Sequence, residues 1–440
     1  MYEKIVVLDS VIFYPEHRER LNKIAKEVVE YNTCHTEQEV VERVKGADCI
    51  VSCWVDIPNK VIDQNPQLKT IAFWTHAFEH RIDSAYARKH GIYVPSIPDY
   101  GTDSVAELVF IALLQLHKKG PDTKQPGIRP LDESVMAEVT DGVRKFNKNW
   151  KSNLKGHWIH EYVKLGKLRI TSPEEFEEDT LKGLTIGFLA DSNSTKDMHK
   201  IASGFNMNPI YSLRDLPHQL DMSYRPIDNL LDESQILVYD STSISEAIRR
   251  KIKEGIYLSV VDTSKIQLAG ESIRRKKLGI IGLGRIGKRV AQIAKDSFDM
   301  EVSYFSKHRD AAMEKEYGLK FRSLNQVLEE SDIITFHLPH VGAEKFVTDV
   351  MIDHIPKGTV VVNASVGSIF QDQNHLISRF REGDLTGYLD VFENLPPRSE
   401  LKVRKEFLIS TYRLGWRTKS TLGLKTHKLI TKLEEGLERK

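Results

Sequence analysis

The stretch "GIIGLGRIGKRV", residues 279–290, has the glycine spacing of a phosphate-binding turn. Gly282, Gly284 and Gly287 follow the pattern G-x-G-x-x-G, between an apolar run that predicts a strand and a periodic pattern that predicts a helix. In such a turn the first glycine permits a tight bend, the second admits a pyrophosphate, and the third lets the helix pack on the strand. The helix start offers free N–H groups to phosphates. The strand–helix–strand context favours a dinucleotide site over a plain turn without a ligand.

The end of the next predicted strand indicates which dinucleotide fits. An Asp or Glu about 20 residues beyond the glycines would bind a free ribose 2′-hydroxyl. Residues 303–309 contain no acid and instead supply Ser306, Lys307, His308 and Arg309. A hydroxyl and several cations suit a 2′-phosphate, so we favour NADP(H) over NAD(H). A solvated basic loop is the alternative interpretation.

An alternation of short apolar runs with helical patterns surrounds the turn and recurs along the chain. Such alternation predicts parallel sheets with helices on both faces. We therefore predict an α/β fold of doubly wound parallel sheets, with a Rossmann-type cofactor domain over residues 275–415, a degenerate Rossmann-like module over 180–270, and a flavodoxin-like domain over 1–118 that includes a C-terminal helix at 418–440. The stretch 119–179, rich in Pro, Gly and Lys at its start, is typical of a linker or insertion.

The module over residues 180–270 aligns with the start of the cofactor domain. The segment beginning at Thr185 matches the segment beginning at Lys277, but the three glycine positions hold Ala190, Ser192 and Thr195. A Cβ at those positions would obstruct a pyrophosphate. We interpret the module as a duplicated nucleotide-binding half that has lost its ligand. Chance similarity of two α/β units and an intact second cofactor site are the alternatives.

Composition excludes several function classes. The 440 residues carry 63 basic and 62 acidic side chains, which gives no reason to expect nucleic acid or an anionic membrane as a partner. The longest apolar stretch is too short to span a bilayer, and the start lacks the layout of a secretory signal. Three cysteines without metal-ligand spacing predict reduced thiols in a cytoplasmic protein with no metal site. We expect a homodimer that binds a small-molecule substrate.

Four motifs occur in a fixed order: residues 68–110, which include "RKHGIYVPSIP" and "SVAE", then "FHLP" at 336–339, "VVNASVG" at 361–367 and "LDVFENLPP" at 389–397. They resemble the D-2-hydroxyacid dehydrogenases, a group that includes formate and phosphoglycerate dehydrogenases. The resemblance covers most of residues 1–118 and 275–440, and it makes the first domain a substrate-type domain. It implies that Asp390 contacts the nicotinamide carboxamide and that the "FHLP" strand end lies near the nicotinamide ribose. The predicted cofactor-binding residues are Gly282, Gly284, Arg285, Ile286, Gly287, Ser306, Lys307, His337, Pro339, Asn363 and Asp390.

The catalytic side chains that this resemblance implies are all replaced. The family uses an Arg to hold the substrate carboxylate, a His as acid/base, and a Glu that orients the His. Their positions hold Val366, Tyr412 and Leu395, while the surrounding motif residues remain. Valine and leucine cannot bind a carboxylate or orient an imidazole. Ordinary 2-hydroxyacid chemistry is therefore not expected.

Two residues could replace the missing acid/base. Tyr412 occupies the histidine position beside Arg413, a cation that could lower the tyrosine pKa. His76 lies in "WTHAFEH", where the family has a glycine-rich loop that binds the carboxylate. Packing roles for both side chains are the alternative.

Two functions fit these observations. The first is an NAD(P)-dependent oxidoreductase with a rebuilt active site, which acts on a CH–OH or carbonyl substrate other than a simple 2-hydroxy acid. The second is a catalytically silent dinucleotide-binding sensor or scaffold.

Overall fold

The computed structural model describes residues 1–9, 11–31, 36–53, 55–75, 78–97, 99–117, 128–130, 180–189, 193–212, 223–239, 257–260, 273–339, 341–390, 407–410 and 418–439. The chain divides into two compact units. Unit 1 comprises Met1–Thr102, Asp132–Asp179 and Thr411–Lys440, and unit 2 comprises Asp103–Leu131 and Thr180–Ser410. Within the described ranges, no helix combines the length and the apolar composition that crossing a membrane requires.

Unit 1 is built on a four-stranded parallel sheet in the order β2-β1-β3-β4, which agrees with a flavodoxin-like order. Its strands are β1 (Tyr2–Val7), β2 (Ala25–Glu30), β3 (Cys49–Ser52) and β4 (Thr70–Phe73). Its first four helices are α1 (Pro15–Ile24), α2 (Glu37–Arg43), α3 (Asn59–Gln64) and α4 (Ser84–Lys89).

The C-terminal helix (Lys419–Glu438) also belongs to unit 1. Its residues Leu429 and Leu433 lie in the same buried cluster as Tyr2 and Val7 of β1. The Tyr2 hydroxyl donates a 3.0 Å hydrogen bond to the carbonyl of Leu433. The two ends of the described chain thus complete one core.

Unit 2 contains helix α5 (Thr102–His117) from Asp103 onward and two sheets, which are parallel except for one strand at the edge of the larger sheet. Helix α5 belongs to unit 2 from Asp103 onward, and its residue Phe110 packs against Phe205 and Phe298 of the same unit. A short strand β5 (Ile128–Pro130), from the stretch expected to be a linker or insertion, pairs antiparallel with the last strand of the larger sheet.

The smaller sheet has the order β10-β9-β6-β7-β8 and forms what we call the middle module. Its elements are β6 (Thr185–Phe188), α6 (Asn193–Gly204), β7 (Asn208–Tyr211), β8 (Ser223–Tyr224), α7 (Ile227–Glu233), β9 (Ile236–Tyr239) and β10 (Tyr257–Val260).

The larger sheet has the order β13-β12-β11-β14-β15-β16-β17-β5 and forms what we call the cofactor module. Its strands are β11 (Lys277–Ile281), β12 (Glu301–Phe305), β13 (Lys320–Phe321), β14 (Ile333–Phe336), β15 (Val360–Asn363), β16 (Thr386–Leu389) and β17 (Phe407–Ser410). Its helices are α8 (Arg285–Phe298), α9 (Ala311–Tyr317), α10 (Leu324–Glu330), α11 (Asp349–Asp353) and α12 (Gln373–Glu382). The C-terminal helix of unit 1 is therefore α13.

The two modules share one topology. Numbered within each module, the strands of the cofactor module run 3-2-1-4-5-6-7 and those of the middle module 3-2-1-4-5. This is the doubly wound Rossmann order, so the predicted fold class, including a second Rossmann-like module, is confirmed.

Matching packing details support a duplication. Gly187 on β6 and Gly279 on β11 leave room for Ser234 and Ser331, whose hydroxyl oxygens would lie 2.2 and 2.4 Å from an added Cβ. Both hydroxyls donate 2.6 Å hydrogen bonds to a carbonyl four residues earlier.

Candidate functional site

The glycine turn joins β11 to α8, and its three glycines have different physical roles. Gly282 has a φ of +99°, and a Cβ there would lie 2.6 Å from the carbonyl oxygen of His337. A Cβ on Gly287 would lie 2.2 Å from the carbonyl oxygen of Gly282. Gly284 has an ordinary φ of −78°, and no described atom lies within 4 Å of its Cβ position. Two glycines therefore shape the turn, and the third leaves an open space beside it.

The start of α8 adds favourable electrostatics to that space. Side chains of Asp310, Ser323, Thr348 and Asp372 cap the helices α9 to α12. Gly284, the residue before α8, provides no side-chain cap. Backbone N–H groups of the first turn, which includes Arg285 and Ile286, are thus left for another acceptor, at the positive end of the helix dipole.

Three further predicted residues lie at the ends of neighbouring strands in the same sheet. The backbone N–H of His337, just after β14, donates a 2.8 Å bond to Ile281 of β11. The backbone N–H of Asp390, just after β16, donates a 2.9 Å bond to Asn363 of β15. These carboxyl ends of parallel strands lie at the same edge of the sheet as the glycine turn, and open α/β sheets bind ligands at that edge. Pro339 follows on the same loop as His337 and is exposed.

The side chain of Asn363 has an unused hydrogen-bond donor. Asn363 is fully buried, and its Oδ1 accepts a 3.0 Å bond from the backbone N–H of Ser365. Its Nδ2 has no hydrogen-bond partner among the described residues. Buried amides seldom remain unsatisfied, so a ligand with an acceptor atom fits this position.

Asp390 is buried as well and has a neighbour that sequence reasoning missed. The hydroxyl of Tyr388 donates a 2.9 Å bond to Oδ1 of Asp390. Tyr388 lies two residues earlier, so the two side chains share one face of the strand end. This spacing of two could have indicated from the sequence that Tyr388 neighbours Asp390.

His337 is an uncharged group in this site. Its Nε2 lies 2.9 Å from Oγ1 of Thr335, and burial lowers the pKa of the imidazole to about 3. The ring is therefore neutral at physiological pH.

The loop after β12 offers fewer free cations than its sequence suggested. The guanidinium of Arg309 donates bonds of 2.6 and 2.8 Å to Glu314. Lys307 and His308 are exposed, and no bond ties them to another described residue, whereas Ser306 is half-buried. A 2′-phosphate here would meet Lys307 and His308 rather than Arg309.

The position of the missing substrate arginine is apolar in three dimensions as well. Val366 is 5% exposed and precedes a short 3₁₀ turn, Gly367–Ile369. The other replaced positions, Leu395 and Tyr412, and the candidate His76 lie outside the described residues.

Two bulky residues near His76, Trp74 and Phe78, pack inside unit 1. Trp74 is buried, and its Nε1 donates a 3.1 Å bond to Thr426 of α13. The ring of Phe78 stacks on Phe73 with centroids 4.9 Å apart. Both aromatic side chains are part of the unit's own packing.

Comparisons with known sequences agree with this geometry. Residues 5–274 match the family model "D-isomer specific 2-hydroxyacid dehydrogenase, catalytic domain", and residues 242–412 match its "NAD binding domain". A glyoxylate reductase from Aeropyrum pernix is 36% identical over 151 residues, which cover 33% of this chain and 44% of the relative. A D-3-phosphoglycerate dehydrogenase from Bacillus subtilis is 33% identical over 178 residues, covering 40% of this chain and 34% of the relative. The chain thus matches less than half the length of either relative.

Solved structures share the fold at low sequence identity. An acyclic imino acid reductase in complex with NADPH and D-Arg has a TM-score of 0.57 at 17% identity, with 99% of this chain and 98% of that chain covered. A D-lactate dehydrogenase from Aquifex aeolicus, complexed with NAD and lactic acid, has a TM-score of 0.56 at 18% identity, with 99% and 96% covered.

The match of residues 242–412 to an NAD binding domain defines a nicotinamide dinucleotide as the class of cofactor. With the other model covering residues 5–274, the two matches span most of the sequence. The chain belongs to the D-isomer specific 2-hydroxyacid dehydrogenase family.

Proposed function

We propose that this chain is an NAD(P)-dependent oxidoreductase that acts on a CH–OH or carbonyl substrate other than a simple 2-hydroxy acid. One contrast supports the proposal. The open space at Gly284 and the unused amide of Asn363 fit a dinucleotide, whereas buried Val366 stands where the family has its carboxylate-binding arginine.

In this proposal the residues of the cofactor module hold the dinucleotide as one extended ligand. The open side of Gly284 and the N–H groups of Arg285 and Ile286 receive the pyrophosphate. Asn363 and Asp390, with His337 and Pro339 nearby, line the nicotinamide end. When bound, the nicotinamide supplies hydride transfer to or from a carbon atom. The neutral ring of His337 can accept or donate a hydrogen bond without adding charge.

We further propose a preference for NADP(H). Exposed Lys307 supplies positive charge, His308 a ring nitrogen and Ser306 a hydroxyl, at the loop where an acid would select a free 2′-hydroxyl. Because Arg309 is held by Glu314, Lys307 is the main permanent charge in this selection.

The substrate follows from what the site lacks. A small 2-oxo acid needs a charged, bidentate partner for its carboxylate, and Val366 offers only methyl groups. A carbonyl substrate with an uncharged or larger group at that position fits better. Tyr412, with His76 as second candidate, is proposed to supply the proton that accompanies the hydride.

A catalytically silent sensor is the second candidate function, and buried Val366 favours it. Without the arginine, the dinucleotide could serve to stabilise one conformation that a partner recognises. This candidate requires binding without turnover.

Single-turnover hydride transfer separates the two candidates. Bound NADPH is followed by its absorbance while a panel of aldehydes, ketones, imines and 2-oxo acids is added. We expect oxidation by a compound outside the set of glyoxylate, pyruvate and hydroxypyruvate. Rapid reduction of any of those three acids would contradict the rebuilt site, and binding without oxidation by any compound would favour the sensor.

The same assay tests the proposed proton donor. Tyr412→Phe keeps the ring and removes the hydroxyl, so the rate should fall by about 10²- to 10⁴-fold if Tyr412 is the acid. A rate close to that of the unaltered chain would make Tyr412 a packing residue and move the search to His76, which His76→Gln then tests.

A further inference from the structure

Helix α6 of the middle module packs against helix α8 of the cofactor module, and these two helices occupy equivalent places in their modules. Each follows the first strand of its own sheet, β6 or β11. Each ends before a non-glycine residue in the left-handed region, Asn206 with a φ of 57° and Asp299 with a φ of 52°. The sequences "IASGFNM" and "IAKDSFDM", aligned with a one-residue gap, pair Phe205 with Phe298.

Equivalent residues touch one another at this interface. The rings of Phe205 and Phe298 meet nearly edge to face, with centroids 6.4 Å apart and an interplanar angle of 88°. Contact between a residue and its own counterpart is expected near a two-fold axis, as in an isologous dimer. The Phe205–Phe298 contact is the one that two copies of one module would make in a symmetric pair.

The packing between the helices is close and polar at defined points. The hydroxyl of Ser297 donates a 3.2 Å bond to the carbonyl of Ile201. Nη2 of Arg289 donates a 3.0 Å bond to the carbonyl of Gly204, while its Nε bonds Asp103 at 2.8 Å. A Cβ on Gly204 would lie 3.1 Å from the backbone nitrogen of Ser297, so the glycine allows the close approach.

As a result α8 is covered on two sides. Gly287 packs toward Gly282 and Ile280 of its own module, whereas Arg289 and Ser297 face the middle module and are buried. An amphipathic surface helix buries one stripe only. The second stripe of α8 is an association surface, and it is occupied from within the chain.

We propose that the middle module is an internal partner: through α6 it occupies the face of α8 that would otherwise pair with a second copy of this chain. The duplicated module has a phenylalanine at the same place in this interface, Phe205 opposite Phe298, while its glycine positions hold Ala190, Ser192 and Thr195. Its role is therefore to cover and support the helix that begins at the dinucleotide turn. The chain does not associate with a second copy through α8. This inference is independent of catalysis.

Thiol accessibility tests the arrangement in the full chain. Ser297→Cys places a thiol under Gly204, and Asp296→Cys places one at the exposed neighbouring position of the same helix as a control. We expect the thiol at 297 to react with a thiol reagent at least about 100-fold more slowly than the thiol at 296, because reaction requires local opening. Under oxidising conditions the Ser297→Cys variant should give no disulfide-linked two-chain species. Fast reaction at 297, or a covalent dimer through it, would overturn the proposal.

Hydrogen exchange of the unaltered chain gives an independent readout that does not depend on a variant. A partner within the chain protects the amides of α8 equally at every protein concentration, whereas a second copy protects them by mass action. We expect the same exchange rates in α8 at 1 and at about 100 μM chain. Protection that rises with concentration in α8 would show that another copy covers it and would refute the internal partner.

Discussion

The middle module and the cofactor module have the same strand order and share a packing contact, but they differ at the turn after the first strand. Both have the doubly wound strand order, and both place a serine hydroxyl in the gap left by a strand glycine, Gly187 or Gly279. The dinucleotide turn differs, because Ala190, Ser192 and Thr195 align with its three glycines. The glycine–serine contact of the fold is thus present in both modules, whereas the G-x-G-x-x-G turn is present only in the cofactor module.

The largest expected effect comes from filling the open space at the turn. Gly284→Leu should weaken dinucleotide binding by more than about 100-fold, because the side chain occupies the proposed pyrophosphate position. The fold should survive, since Gly284 has an ordinary φ and no described atom near its Cβ position. Fluorescence titration with NADPH measures the affinity of the variant, and thermal unfolding measures its stability.

The matched control is Ser192→Leu at the aligned position of the middle module. We expect unchanged affinity and one dinucleotide per chain. Two bound dinucleotides, or equal losses in both variants, would break the contrast between the modules.

Adding a methyl group to the glycine of the glycine–serine contact should lower the stability by a similar amount in both modules. Gly279→Ala and Gly187→Ala place a Cβ within 2.4 and 2.2 Å of a serine hydroxyl, and such overpacking costs about 1–3 kcal/mol. Adding Ser331→Ala or Ser234→Ala should restore part of the lost stability. Unfolding midpoints of the four single and two double variants measure how strongly each glycine substitution is coupled to its serine substitution. Strictly additive losses of stability would contradict the proposed contact.

His337, a residue of the cofactor module, should make the stability of the chain depend on pH. Burial holds its folded pKa at about 3, below the unfolded value of 6.5, so the unfolded state binds more protons between these values. His337 thus contributes stability that is complete above pH 6.5 and is lost as the pH falls, by up to about 1.4 kcal/mol per pH unit.

His337→Gln removes that titration and keeps a group able to bond Thr335. Thermal midpoints of parent and variant between pH 7.5 and 4.5 should therefore converge as the pH falls. Parallel curves would show that His337 does not titrate on unfolding.

The smallest effect concerns the choice of cofactor. Lys307→Asp should shift the ratio of NADP(H) to NAD(H) affinity by about tenfold toward NAD(H), or about 1.4 kcal/mol, because attraction to a 2′-phosphate becomes repulsion. Arg309→Gln is the comparison variant, and its effect should be smaller since Glu314 already holds that guanidinium. Tighter binding of NAD(H) by the unaltered chain would contradict the preference.

Local patterns in the sequence were sufficient for the fold class and for the glycine turn. The positive φ of Gly282 and the close packing of Gly287 follow from spacing alone, because the turn chemistry is encoded within six residues. The strand alternation likewise predicted two Rossmann-like modules.

Contacts between distant segments could not be read in the same way. The packing of Phe205 on Phe298 and the bond from Arg289 to Gly204 join residues about 90 positions apart. The internal repeat aligns the two phenylalanines, but an alignment does not indicate that aligned residues touch. The pairing of Arg309 with Glu314 is local, but it depends on where α9 begins, which single-sequence patterns place within only a few residues. Strand β5 was missed because three residues in a Pro- and Gly-rich stretch carry too little pattern.

The assembly of unit 1 from both ends of the described chain sets the order in which the protein can fold during synthesis. The bond from Tyr2 to Leu433 spans 431 residues, which a ribosome adds in roughly 20 to 90 s at 5–20 residues per second. Until α13 emerges, the first sheet lacks the helix that covers Tyr2 and Val7, whereas both sheets of unit 2 can already be complete. Unit 2 can therefore complete its fold before unit 1, although the synthesis of unit 1 begins first. We expect chaperones to bind the uncovered strands of unit 1 in the nascent chain.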